Sequence, residues 1–393
     1  MLKNSMQKYF ENLDALRFFA FLSVFISHVA LFLGYASSNS SYFEFVKKFF
    51  LVHGDLGVNF FFVLSGFLIT FLLFSEKQKS GHISLPHFYL RRILRIWPLY
   101  FLTLILGFFV IYPIATNSGI IFPFLTTESY SSLPWYIFLG ANIKMAFLGA
   151  GSAVLAVLWS ISVEEQFYLL WPAVLSFISK NKNILKVILF IVGIAFLYRF
   201  YHYDNYNIVK YSTFSVMSDL AIGALGAYIT FFFSRVCKAI ANCPRYLITL
   251  FYVLGFALIP LRTLLPLMPH GFLYRCLYSL EPILFSLFFI FIILEQNMAI
   301  NSFLKFGRSK ILNYLGARSY GLYCYHVIAV FFTFYLFHLL GVSNPNHNFA
   351  LYAVEIAVAF TLSVVFSAVS YRFLEKKFLA LKEKHGYKKY RIT

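Results

Sequence analysis

Charge is scarce in this sequence. Only 12% of its 393 residues are Asp, Glu, Lys or Arg, about half of the roughly 25% that a soluble chain carries. With 60% of residues hydrophobic, this supply cannot keep a globular protein of this length in water, and it excludes disorder as well. Cysteine is nearly absent too. Cys237, Cys243, Cys276 and Cys324 lie scattered with no C-x-x-C pair, which removes both a thiolate metal site and a disulfide framework. No Gly/Ser linker, low-complexity tract or shift of composition marks off a soluble unit. The formal charge of +18 suggests a nucleic-acid partner at first sight. Its Lys and Arg residues, however, sit in short clusters between apolar runs, the pattern of membrane topology and contact with membrane lipids rather than of a phosphate-binding surface.

What is present is a succession of apolar runs long enough to cross a bilayer. They predict helices near 13–35, 56–74, 97–115, 153–178, 184–203, 211–233, 246–265, 276–295, 319–340 and 350–373. The stretch 134–149 is too short for a span and reads as a re-entrant or interfacial piece. The first run follows Lys3 and Lys8 as a signal peptide would, but it carries Arg17 and His28 and is read as a retained helix. Alternate loops hold Lys77, Lys79, Arg91, Arg92 and Arg95, then Lys180, Lys182 and Lys186, then Arg235, Lys238 and Arg245, then Lys305, Arg308, Lys310 and Arg318. The intervening loops keep few, such as Lys47, Lys48, Lys144, Lys210 and Arg275. The expectation is an all-α polytopic bundle of about ten transmembrane helices with both termini cytoplasmic. Residues 1–378 form the membrane domain and 379–393 a basic tail.

Ionisable groups inside spans are costly and point to function. In the first helix Arg17 and His28 are eleven residues apart, close to three turns, so they share a face about 16 Å apart along the axis. Asp14, Phe21 and Phe25 lie on the same stripe. A neutral imidazole deep in a span is a natural general base, although a snorkelling arginine and a hydrogen-bonded structural histidine would give the same pattern. The fourth run contains Ser160, Glu164, Glu165, Tyr168 and Trp171. Adjacent carboxylates lie about 100° apart, so one faces the interior with Ser160, Tyr168 and Trp171. The other pairs with a base or caps a broken helix. Arg91-Arg92-Ile93-Leu94-Arg95-Ile96-Trp97-Pro98 opens the third span, where guanidinium forks and helix N-terminal N–H groups could hold phosphates, or where the charge is simply topogenic. His326 lies in the ninth span, and His53, Asp55, Asp219, Glu281 and Glu355 lie in or near others.

Several segments in order resemble the acyltransferase-3 family of multi-pass membrane O-acyltransferases. They are Leu13-Asp14-Ala15-Leu16-Arg17 with His28; Gly57-Val58-Asn59-Phe60-Phe61-Phe62-Val63-Leu64-Ser65-Gly66-Phe67-Leu68-Ile69; the Arg91 to Tyr100 segment; the Trp159 to Pro172 run; Ser319 to His326; and Tyr371-Arg372-Phe373-Leu374-Glu375-Lys376-Lys377-Phe378. Together they span residues 13 to 378. Ala15 and Asn59 depart from the commoner Gly and Asp. The resemblance implies acyl transfer, usually acetyl, from cytoplasmic acetyl-CoA or another acyl-CoA to a hydroxyl of a glycan or lipid-linked saccharide, without a metal, in a bacterial inner membrane. It makes His28 the essential histidine, Arg17 its partner, Arg92 and Arg95 the basic pair with Arg91 beside them, and Glu164 the acidic position. Ser65, Glu165, Tyr168 and His326 are further cavity candidates. No esterase-like domain is expected after the last span. A transporter or flippase acting without chemistry is the competing reading.

Overall fold

The structure, a computed structural model, describes residues 11–32, 53–118, 128–342 and 349–385. Ten of its helices are long and apolar enough to cross a membrane. They are α1 (Glu11–Phe32), α2 (Asp55–Ser80), α3 (Leu85–Leu106), α4 (Leu158–Phe177), α5 (Asn181–Tyr201), α6 (Thr213–Phe232), α7 (Arg245–Leu264), α8 (Phe272–Met298), α9 (Ser319–Leu339) and α10 (Phe349–Ser370). Each overlaps one of the expected spans. The expected end of the first helix at residue 35, Lys47 and Lys48, and the tail beyond 385 lie outside the described residues, and residues 376–385 continue the last helix as Lys376–His385. The stretch around 134–149 forms two short helices, Leu133–Ile137 and Ala141–Leu148, neither long enough to span. A buried ion pair between Lys144 and Glu128, 2.8 Å, holds the second of them.

The third span departs from expectation in a way that matters. Its helix begins at Leu85 after Ser84, so the basic segment lies about two turns inside it rather than at its N-terminus. Its backbone N–H groups are already used by the helix. Whatever Arg91, Arg92 and Arg95 bind is therefore bound by side chains alone.

Burial divides the helices. The spanning window of α2 is 72% buried and that of α7 only 17%, so α2 sits at the centre and α7 presents most of its surface to lipid. The most intimate contact is between α2 and α6, and glycine makes it possible. A Cβ on Gly66 would lie 1.9 Å from the Leu220 carbonyl oxygen, and one on Gly223 would lie 2.1 Å from that of Val63. With no apolar drive between helices in lipid, such close backbone approach is a main source of helix association. Gly57 brings α1 onto α2 in the same way, since its Cβ would meet the Ala20 carbonyl oxygen at 2.4 Å. Gly54 faces Ser27, so α1 and α2 run antiparallel, and the C-terminal half of α1 and the start of α2 share one end of the bundle. Pro98, Pro172, Pro260 and Pro282 lie within α3, α4, α7 and α8, as membrane helices tolerate.

Candidate active site

The aromatic stripe of α1 seats its histidine. Phe21 and Phe25 are fully buried, and the edge of Phe21 meets His326 of α9 at 6.0 Å between ring centroids. This packing turns His28 toward α9, where its ring stacks on that of His326 at 5.0 Å. Nδ1 of His28 lies 2.7 Å from Nε2 of His326, and Nδ1 of His326 lies 2.6 Å from the Tyr323 carbonyl oxygen. A carbonyl only accepts, so His326 carries its proton on Nδ1 and offers the Nε2 lone pair. His28 must then donate from Nδ1, which places its own lone pair on Nε2. His326 is thus a tautomer-setting partner of the kind a carboxylate supplies in a hydrolase triad. The sequence placed both histidines in spans but could not pair them across 298 residues.

Arg17, three turns below on the same helix, donates to Asp14 Oδ1 at 2.7 Å. Its charge also reaches Arg95 of α3. The basic segment is divided. Arg91 is neutralised by Glu76 at 3.0 Å. Arg92 lies over the rings of Phe88 and Tyr168, with its guanidinium carbon 5.5 and 5.7 Å from their centroids. Neither Arg92 nor Arg95 enters an ion pair among the described residues, and Nε of Arg92 has no hydrogen-bond partner among them. Arg95 is exposed and Arg92 half-buried. Two guanidinium groups outside any ion pair have donors to offer an anion.

The polar face of α4 falls as its spacing predicts. Ser160 bonds the Tyr323 hydroxyl at 2.8 Å, Glu164 accepts from Ser65 at 2.8 Å and Tyr168 at 3.1 Å, and Trp171 donates to Thr70 at 2.8 Å. Glu165 points elsewhere and accepts from Trp97 at 2.9 Å. The partner of the His28 ring is therefore His326, while Glu164 belongs to a group with Ser65, Tyr168 and the nearby charge of Arg92. Ser65, Arg92, Glu164 and Glu165 are all half-buried, so these faces of α2, α3 and α4 are not a sealed core. Tyr320 of α9 packs beside them through its hydrogen bond to the Ile96 carbonyl at 2.9 Å.

Some polar residues were not singled out in the sequence. Arg262 of α7 bonds both Asp55 and Glu281, the latter at 2.9 Å. Arg199 of α5 is buried against Ser279, Ser215 and Ser218. Each is an arginine within an apolar run, the same signal that marked Arg17.

The family model described as an acyltransferase domain matches residues 10–372. The O-acetyltransferase OatA of Staphylococcus aureus is 31% identical over 379 residues, covering 94% of this chain and 57% of the relative. The peptidoglycan O-acetyltransferase OatA of Listeria monocytogenes is 28% identical over 387 residues, covering 94% of this chain and 56% of that protein. The chain thus spans rather more than half the length of these curated relatives. No solved structure matches it significantly. With the match covering nearly the whole chain and the six segments falling on the helices just described, the protein belongs to the acyltransferase-3 family.

Proposed function

We propose that this chain is a membrane O-acetyltransferase that moves an acetyl group from acetyl-CoA to a hydroxyl of a glycan, with His28 as general base. The relatives named O-acetyltransferases, one of them acting on peptidoglycan, support the reaction class. The observation that carries the reading is the hydrogen bond between His28 and His326, with His28 on the same helix as Arg17 and about 16 Å from it. Arg92 and Arg95, which enter no ion pair among the described residues, line the donor crevice that this reading places along α3 and α4, with Arg17 near Arg95. A donor with a charged, phosphate-bearing head and a long thin arm ending in a thioester matches that layout. Its phosphates meet Arg92 and Arg95, and the arm runs along α1 to the imidazole.

Nε2 of His28 takes the proton of the acceptor hydroxyl as its oxygen attacks the thioester carbonyl. The new C–O bond forms, the C–S bond breaks, and the CoA thiolate leaves with the proton held by His28. The basic end of the bundle faces the cytoplasm of a bacterial cell, where acetyl-CoA is available, and the His28 end faces outward. Glu164 holds Ser65 and Tyr168 in place beside the donor crevice.

The test is transfer of labelled acetyl from acetyl-CoA to a glycan by the purified full chain in proteoliposomes. His28→Ala should abolish transfer and leave acetyl-CoA binding intact, whereas Arg92→Ala with Arg95→Ala should lose binding. Near-wild-type transfer by correctly inserted His28→Ala would overturn the assignment.

A further inference from the structure

At the end of α1 that carries His28, a second group of polar side chains is not used by the chemistry above. Arg262 lies between Asp55 at the start of α2 and Glu281 of α8. Oδ1 of Asp55 has no hydrogen-bond partner among the described residues, although Oδ2 is held by Arg262. Lys210, on the short helix Tyr206–Tyr211, donates to the Tyr206 hydroxyl at 2.7 Å. It lies over the rings of Tyr206 and Tyr211 at 5.1 and 5.4 Å. Gly54 packs on Ser27, so Asp55 lies beside the turn of α1 that carries His28, and the Lys210 charge is near both. Tyr206 is 62% exposed and lies near Arg262 and Tyr278. Behind Tyr278 the rings of Tyr274 and His270 stack in a row at 5.6 and 4.5 Å.

The character of this group differs from that of the basic crevice. Its two cations, Lys210 and Arg262, are balanced by two carboxylates, Asp55 and Glu281. An anion would meet as much repulsion as attraction there. A neutral polyol would not, since each hydroxyl both donates and accepts and can bridge carboxylate and cation. The tyrosine rings offer flat apolar faces for the C–H side of a sugar, with hydroxyls at their edges. A few convergent polar groups among aromatic walls is the usual make-up of a small-molecule site.

We propose that Asp55, Lys210, Arg262, Glu281 and the rings of Tyr206 and Tyr278 form the acceptor subsite, which binds a neutral saccharide and delivers one of its hydroxyls to His28. The subsite rests on the transferase reading, because it supplies that reaction's second substrate. Lys210 is a positioning residue that holds Tyr206 and orients the sugar near the imidazole.

The test is binding of a β-1,4-linked N-acetylglucosamine tetrasaccharide to the purified full chain in detergent, by calorimetry, with acetyl-CoA binding measured on the same samples. The expected result is saccharide binding by wild type, weakened about tenfold or more in Tyr206→Ala and in Lys210→Met, with acetyl-CoA binding unchanged. Tyr206→Phe, which keeps the ring but loses the hydroxyl that Lys210 holds, should show an intermediate loss and stands in should Tyr206→Ala fail to insert. Saccharide binding equal in wild type and both variants would overturn the proposal. So would a wild type that binds acetyl-CoA but no saccharide. A chain that binds the saccharide, loses it in the variants and ignores acetyl-CoA would uphold the subsite and overturn the donor reading instead.

Discussion

His28 and His326 form a unit whose parts are not equivalent. His28 is half-buried, whereas His326 is fully enclosed and touches the Tyr323 backbone. Removing His28 should lower the transfer rate by about 10²- to 10⁴-fold, the usual worth of a positioned base. His326→Ala leaves the imidazole in place but releases its tautomer. The rate constant kcat should fall by about 10²-fold while the KM for acetyl-CoA stays put. His326→Gln, whose side-chain oxygen can accept from Nδ1 of His28, should recover part of the loss. A merely structural role for His326 would predict no such rescue. The arginines divide in the same way. Arg92 and Arg95 have charge to offer and Arg91 is neutralised by Glu76. Arg92→Ala should therefore weaken acetyl-CoA binding about tenfold or more, and Arg91→Ala should have a smaller effect. Added salt should weaken binding in wild type more than in the Arg92→Ala, Arg95→Ala double variant.

At the scale of the helices, the α2–α6 contact holds the site in register. Ser65 sits one residue before Gly66, so the close approach of α2 to α6 also fixes the hydroxyl that Glu164 accepts from. Gly66→Ala would drive a methyl group into the Leu220 backbone, which cannot rotate away as a side chain can. A loss of about 1–3 kcal/mol or more is expected, visible as a lowered Tm in detergent. Gly193 of α5 provides the contrast, since nothing lies within 4 Å of the place where its Cβ would be. Gly193→Ala should leave Tm unchanged or raise it slightly, because glycine within a helix costs about 0.5–1 kcal/mol relative to alanine. The four-residue rhythm of Ser160, Glu164 and Tyr168 was legible in the sequence because a helix repeats every ~3.6 residues. The partners that Ser160 and Glu164 met, Tyr323 and Ser65, were not, because they come from other helices.

For the whole molecule, the charge pattern predicts the orientation in the membrane. In a chain whose native cysteines have been replaced, Ser80→Cys and Ser309→Cys should react with a membrane-impermeant thiol reagent only from the cytoplasmic side. Asn205→Cys should react only from the other side. The reverse labelling would place the donor crevice outside and remove the case for acetyl-CoA. The arrangement of charge along the bundle is coherent with the proposed direction of transfer. Arg92 and Arg95, outside any ion pair among the described residues, lie toward one end, and the histidine pair and the charge-balanced polar group lie toward the other.

The sequence by itself determined the class of the protein, the number of spans and the helices that carry polar faces. These follow from local quantities: run length, charge spacing and helical period. Six short segments in order were enough to identify the family. The tertiary structure alone decided which polar groups meet. It paired His28 with His326, separated Glu164 from Glu165, tied Arg91 to Glu76 while leaving Arg92 and Arg95 outside any ion pair among the described residues, and set Arg262 between Asp55 and Glu281. It also moved the basic segment from the start of a helix to its interior, where only side chains can bind. The physical reason is the same in each case. In a membrane every span has a similar apolar surface, so packing rests on close backbone approach at a few glycines. Which polar side chains then face one another is decided between helices far apart in the chain.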